Sequence, residues 1–516
     1  MMGSGTLLFI VLLYFAILLG IAFYTSRHSN NESFFIGNRN SKWWVVAFGM
    51  IGTSLSGMTF ISVPGTVGKM GFDYFQVVMG YWLGYFAVAF ILLPLYYKLH
   101  LTSIYTYLEK RLGTVSYKTG ALFFILSRTL GATLRLYLVI KVLEKFVLQD
   151  MGISFEASAV VILALILLYT YRGGVKTIVW TDTLQTTFML LALVVCVGYI
   201  MHTMHFNLSE TWAAMKTKGY TNMIQTDPLK SNFFLKQILG GAFITIAMTG
   251  LDQEMMQKNI SVSNLKDSKK NMITFCFVMV LANFIFLLLG GLLYLYANTK
   301  GITTAGDDLF PTIAMKSGLP FFITLCFLIG LISALFPSAD GALTALTSSF
   351  CIDILGMKRK NGATEKQKSR TRLIVHNTFA IIFLMCVFFF RAVDNGSLIQ
   401  TLLVVAGYTY GPLLALFSFG IFTRREVRNE LVPLICLTSP VVCYILKQHD
   451  TKWLNGYSIG TELLIINAAF TFLLLIISSK KGSKTIAATE KQHERPDENK
   501  VAGLDGNQST LQLADI

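Results

Sequence analysis

Read for hydrophobic pattern, the chain is a succession of long apolar runs rather than an alternation of amphipathic stripes. Runs long enough to cross a bilayer fall near 5–24, 44–65, 72–97, 119–147, 154–171, 178–203, 233–252, 271–297, 319–354, 374–391, 397–423, 430–446 and 460–478. A spanning helix needs roughly 20 apolar residues. The pattern therefore predicts an all-α polytopic membrane protein with about 13 transmembrane helices.

Several runs are interrupted by polar positions at helical spacing, and these carry the chemistry. In ISALFPSADGALTALTSSFCID, residues 332–353, the positions Ser333, Pro337, Asp340, Thr344 and Thr347 share one face. Beside them runs a stripe of small residues, Ala334, Ser338, Gly341 and Ala345. A carboxylate at membrane depth costs roughly 2.5–3.5 kcal/mol on insertion scales, so Asp340 is expected to face a cation or a polar cavity. Pro337 has no N–H, which releases the Ser333 carbonyl from its helical bond. Hydroxyls, a carboxylate and a loose carbonyl form an all-oxygen set suited to a hard alkali cation. Taken singly, the Ser and Thr residues have the alternative of serving close helix packing.

The second run contains MIGTSLSGMTFISVPG, where Gly52, Gly57, Pro64 and Gly65 interrupt the helix around Thr53, Ser54, Ser56 and Thr59. Unwinding there would expose backbone oxygens at mid-membrane, where transporters bind ions and substrates; a tightly packed Gly-rich helix is the alternative. Five runs later Gly250 precedes Asp252 and Gln253, which marks a second break and makes both polar residues candidates for substrate contact. Two breaks at that interval fit a five-plus-five inverted repeat. Asp182, in RGGVKTIVWTDTLQ, lies about one to two turns into the helix beyond the edge marked by Arg172 and Lys176, too deep for free solvation. It either ties helix ends together or meets a cation. Arg128 and Arg135 sit seven residues apart on the fourth run, and Arg135 is too central to reach the interface as Lys141 and Lys145 can. Its guanidinium needs an anion, from the protein or from a substrate.

Composition agrees with the pattern: 54% of the 516 residues are hydrophobic and 14% charged, with no polar stretch long enough for a soluble domain. A net charge of +15 would suit nucleic acid, but about 29 of the 43 Lys and Arg residues fall on alternate loops and the tail. That asymmetry predicts a cytoplasmic face and an outside N-terminus, and no nucleic-acid partner. The tail beyond Lys480 is polar and expected to be disordered. The first run lacks a basic leader and a cleavage site, so it reads as a retained helix. Seven cysteines and seven histidines show no metal or catalytic spacing, which argues for free thiols and against an enzyme.

Four segments, Gly52 to Pro64, RGGVKTIVWTDTLQ, DQEMMQK and ALFPSADGALTALTSS, give the chain a resemblance to the sodium:solute symporter family from about residue 5 to about 450. The resemblance implies a LeuT-like core of two inverted repeats, here 44–203 and 233–423, joined by an extracellular loop at 204–232. A leading helix and loop at 1–43, two peripheral helices at 424–478 and the tail at 479–516 complete the expected organisation. Sodium would be the coupling ion, held by main-chain oxygens of Gly52, Leu55 and Ala334 with side chains at positions 337 and 338. Pro337 departs from that pattern, since most relatives carry a hydroxyl residue there, and leaves Ser338 alone. Asp182 matches the carboxylate of a second sodium site in the sialic acid branch, and Asp340 stands where that branch has a serine. Two carboxylates near one cation would compensate for the missing hydroxyl, or one could carry a proton. On the substrate side the resemblance implicates Ser54, Ser56, Thr59, Gln76 and Arg135. The implied activity is sodium-driven symport of a small organic solute, an anion such as an acidic sugar, by alternating access across the plasma membrane. A proton-coupled or uncoupled carrier of amino acids or neutral sugars stays open at this point.

Overall fold

The computed structural model describes residues 4–26, 39–357, 364–393 and 398–481, with the side chains of 4, 169 and 171–176 outside that set. Most of the basic stretch 27–42, the start of the 358–372 loop, the Arg172 and Lys176 side chains and the tail beyond 481 thus lie outside the described residues. Among those described, nine helices are long and apolar enough to cross a membrane, or eleven when each of two bent pairs counts as one span. Phe155–Leu168 and Leu463–Ser478 are shorter apolar helices. Each of the thirteen apolar runs in the sequence falls on one of these elements.

The chain begins with α1 (Ser4–Ser26), then a bent pair, α2 (Trp43–Ser54) and α3 (Gly57–Met70), meeting at 55°. Leu55 leaves the helical region with ψ 78° and Ser56 is extended, so the ladder stops where Gly52, Ser54, Ser56 and Gly57 supply poor helix formers. α4 (Tyr74–Lys98) and α5 (Thr114–Leu143) follow. The helical run α6 covers Phe155–Thr203, 49 residues, which laid straight would reach roughly 74 Å, over twice a hydrocarbon core. Its two ends nevertheless lie toward one face. Its start follows Lys145, which pairs with Asp308 at 2.6 Å; neighbouring Gly306 donates to Tyr294 Oη, which donates to the Gly65 carbonyl. Its end leads to Asn222, whose carbonyl accepts from Phe72 N at 2.8 Å. The run therefore crosses twice.

The second bent pair, α7 (Phe234–Gly250) and α8 (Gln253–Ile260), turns by 63°. Its break is chemically sealed: Asp252 caps α8 by accepting from the amides of Glu254 and Met255, while Tyr96 and Tyr105 donate to the carbonyls of Gly250 and Leu251. The first break has no such seal. Among the described residues nothing donates to the carbonyls of Gly52 and Leu55.

Beyond it lie α9 (Leu265–Lys300), α10 (Phe321–Ile354), α11 (Glu365–Ala392), α12 (Leu398–Phe422), α13 (Asn429–Gln448) and α14 (Leu463–Ser478). Apolar contact alone does not drive helices together in lipid, so close backbone approach matters. α4 and α7 meet through Gly80, where an added Cβ would stand 2.1 Å from the Ile238 carbonyl oxygen. α3 and α10 meet through aromatic rings, Phe60 and Phe327 lying 5.9 Å apart. Side chains of α2, α5, α6 and α8, next to both breaks, meet in one buried polar cluster.

Candidate functional site

The cluster is a ladder of alternating charges. Lys258 Nζ lies 2.7 Å from Asp182 Oδ2 and 3.5 Å from Glu254 Oε1, and it also bonds Thr53 Oγ1. Glu254 Oε2 pairs in turn with Arg128, whose Nη1 is 3.8 Å from Asp252 Oδ2. Tyr410 Oη donates to the same Asp252 oxygen at 3.1 Å. Every member is at least nine-tenths buried. Removing one charge from such a set leaves its partner unpaired in a medium of low dielectric.

Arg135 stands outside the ladder. The residue is 8% exposed, no carboxylate of the described residues lies within salt-bridge distance, and Nε has no hydrogen-bond partner. It opens on a small cavity that Arg128 also lines, with Gly131, Met248, Leu402, Ala406 and Tyr410. The hydroxyls of Tyr74 and Tyr81, joined at 2.9 Å, lie within its electrostatic reach. Tyr74 also lines a larger cavity of 270 Å³ with Asp73, Asn232, Gln237, Gln400 and Thr461, on the face that carries Gly71 and Asn222.

At the first break Ser54, Ser56 and Thr59 make no side-chain hydrogen bond among the described residues, so their hydroxyls remain available. Gln76 is placed differently. Its carboxamide bonds Asp73 and Asn232, and its Oε1 accepts from Gln225 N, which builds it into the wall beside the larger cavity. Asp252 is committed to α8 amides, Arg128 and Tyr410. Gln253 accepts from Ile104 N and donates to the Thr102 carbonyl, both at 3.0 Å, and does not line the Arg135 cavity.

Two positions carry a sodium expectation, and the donor chemistry differs between them. Around Gly52 and Leu55 the two undonated carbonyls suit an alkali ion. On α10 the Ser338 hydroxyl already gives its proton to the Leu335 carbonyl at 2.9 Å, which leaves its lone pairs to accept. Pro337 offers no side-chain oxygen, and Ala334 sits inside the continuous stretch of α10. At Asp182 the fit fails for a second cation, because Oδ2 already holds the Lys258 ammonium. Asp340 lies near: its carboxylate caps the Gly341 amide and acts electrostatically on Lys258.

Lys258 carries no role in the sequence pattern beyond ending the DQEMMQK segment. In the structure it is 2% exposed and caps the ladder, and its spacing of four from Glu254 was the available signal. Nor does the sequence pattern mark Tyr14, whose Oη shares a hydrogen bond of 2.7 Å with Ser333 Oγ and ties α1 to α10.

The family model for the sodium:solute symporter family matches residues 34–429. The chain belongs to the sodium:solute symporter family. It is 24% identical over 470 residues to the sodium/sialic acid symporter SiaT of Proteus mirabilis, covering 88% of this chain and 92% of that one. It is 23% identical to the sodium/sialic acid symporter NanT of Aliivibrio fischeri, covering 90% and 92%. The mouse sodium-coupled monocarboxylate transporter 2 is 24% identical, over 77% of this chain and 64% of that protein. Among solved structures, a substrate-bound, outward-open Na+-coupled sialic acid symporter superposes with a TM-score of 0.79 at 20% identity, covering 92% of this chain and 99% of that one. The nucleobase-cation-symport-1 transporter Mhp1 gives 0.56 at 14% identity, covering 90% and 96%. These likenesses establish a LeuT-like, all-helical fold. As a member of this family the chain is a multi-pass membrane transporter that couples sodium to the movement of a small organic solute.

Proposed function

We propose that this symporter imports a small organic anion, a carboxylated sugar, with sodium. The observation that carries the reading is the contrast between two arginines on α5: among the described residues Arg128 has carboxylates within salt-bridge distance, and Arg135 has none. A guanidinium held in that state presents a planar fork to an arriving carboxylate. The free hydroxyls of Ser54, Ser56 and Thr59 and the tyrosines near Arg135 suit the remaining hydroxyls of a sugar acid. Two relatives are sodium/sialic acid symporters, which agrees with that substrate class.

Sodium at the Gly52 and Leu55 carbonyls, with Ser338, would bridge the first break to α10 and so favour the state in which Ser54, Ser56 and Thr59 are positioned. A ligand shifts such an equilibrium only by its differential affinity for the two states. Each sodium entering with the membrane potential adds about 2.3 kcal/mol per 100 mV. The reading includes inverted repeats at 44–203 and 233–423, alternating access through the cavity beside Tyr74, and residence in the plasma membrane with the basic face cytoplasmic. No chemistry is performed on the cargo.

The test is uptake into proteoliposomes of labelled sialic acid, other sugar acids, neutral sugars and monocarboxylates, with an inward gradient of sodium, potassium or choline. Sodium-dependent uptake of an acidic sugar, competed by other sugar acids and not by neutral ones, is expected. Uptake of neutral sugars alone, or uptake indifferent to the cation, would defeat the reading.

A further inference from the structure

Lys258 has no part in the transport steps above, and its surroundings are unusual for a lysine. The side chain is 2% exposed, and its ammonium is ringed by oxygens from three helices: Thr53 of α2, Asp182 of α6 and Glu254 of α8. Asp340 of α10 acts on it electrostatically, while Arg128 shares Glu254 from the far side. An ammonium is a compact monovalent charge, and oxygens of hydroxyl and carboxylate type are also what an alkali ion takes. The stem of Lys258 brings that charge to the carboxylate where a second sodium would otherwise be held.

We infer that Lys258 is a tethered cation that fills the position at Asp182, so that this chain couples one sodium ion per cycle, bound at the Gly52, Leu55 and Ser338 oxygens. The inference rests on the sodium-coupled reading and fixes its stoichiometry. Asp182 keeps one oxygen, Oδ1, without a hydrogen-bond partner. A sodium ion there would stand about 5 Å from the ammonium. At an effective dielectric near 20, like-charge repulsion at that range weakens binding on the order of a hundredfold. The lysine also exchanges a diffusible ion for a fixed one: the charge at Asp182 no longer depends on external sodium, and only the first break does.

The test counts ions on the whole purified protein. Equilibrium binding of radioactive sodium is expected to show one site per chain, with a Hill coefficient near one for sodium in uptake. Lys258→Met removes the charge at similar length. It is expected to reveal a second sodium and to raise the Hill coefficient toward two, and Asp182→Asn in the same chain should remove that second ion. Two sodium ions on the wild type, or a single site in Lys258→Met, would overturn the assignment. Should Lys258→Met not fold, Lys258→Arg keeps the tethered charge and must still bind one sodium; two would overturn it. A wild type that binds no sodium at all would overturn the transport reading itself, a result distinct from two sites.

Discussion

Arg128 and Arg135 stand seven residues apart on α5, both buried, and among the described residues only Arg128 of the two lies within salt-bridge distance of carboxylates, those of Asp252 and Glu254. The two should fail in different ways. Arg128→Ala leaves Glu254 without its nearest cation and should cost about 3–5 kcal/mol of stability, seen as a lowered unfolding midpoint in detergent. Arg135→Ala leaves no carboxylate stranded and should unfold within a few degrees of the wild type. Its effect falls on the substrate: Arg135→Lys keeps the charge but loses the bidentate fork, and should weaken acid binding roughly ten- to a hundredfold. Sodium binding in the absence of substrate should persist. Equal damage to stability from both alanine variants would show that Arg135 is a structural cation.

Gly52 lies where α2 presses against α6. An added Cβ would meet Thr186 Oγ1 at 2.2 Å, while the Asp182 carbonyl at 3.4 Å would be in ordinary contact. Gly52→Ala should therefore destabilise by about 1–3 kcal/mol, and Thr186→Ala in the same chain should recover most of that loss, since the obstructing atom belongs to a side chain. At Gly80 the obstruction is the Ile238 backbone, so no side-chain truncation there can rescue Gly80→Ala. Paired unfolding curves check both statements; a Gly52→Ala loss untouched by Thr186→Ala would mean that the alanine acts on the break itself.

Much of this was legible from sequence because lipid imposes a simple grammar. The thirteen apolar runs and both breaks follow from hydropathy and from the glycines and polar residues placed inside it. What sequence could not give was the partner of each buried charge. Asp182, Asp252, Glu254, Arg128 and Lys258 are spread over 131 positions, from 128 to 258, and their pairing depends on how α5, α6 and α8 pack. Gln253 and Asp252 look alike as polar residues at a break, yet one reaches a loop and the other an arginine. Lys258 lies at the edge of an apolar run, where a lysine ordinarily snorkels; only the packing of α8 against α2 and α6 turns it inward.

Asp73, in the turn between α3 and α4, accepts from Gln76 and Asn232, and burial still holds its carboxyl pKa above the ordinary value. A raised folded pKa means that the folded state holds the proton more tightly. The stability contributed by that proton is complete below the ordinary carboxylate value and is lost as pH rises through the raised one. Relative to Asp73→Asn, the wild type should gain stability as pH falls from about 7 toward about 4. Unfolding midpoints of both proteins across that range decide it; a difference that narrows on acidification would reverse the sign.

Gln253 is the residue whose role in the structure separates a substrate contact from a gate. Its carboxamide closes two hydrogen bonds of 3.0 Å with the backbone of Thr102 and Ile104, both away from the Arg135 cavity. Gln253→Ala would take its partner from the buried Ile104 amide, a loss of about 1–3 kcal/mol, and Gln253→Glu would place a carboxylate against the Thr102 carbonyl and lose more. Neither change touches the groups that meet the carboxylate of the solute. The dissociation constant at saturating sodium should therefore stay within about twofold of the wild type, while a cysteine reporter near Thr102 becomes more accessible from the basic face, because the clamp between α8 and this segment is gone. An affinity loss of tenfold or more with unchanged reporter accessibility would put Gln253 in the binding site after all.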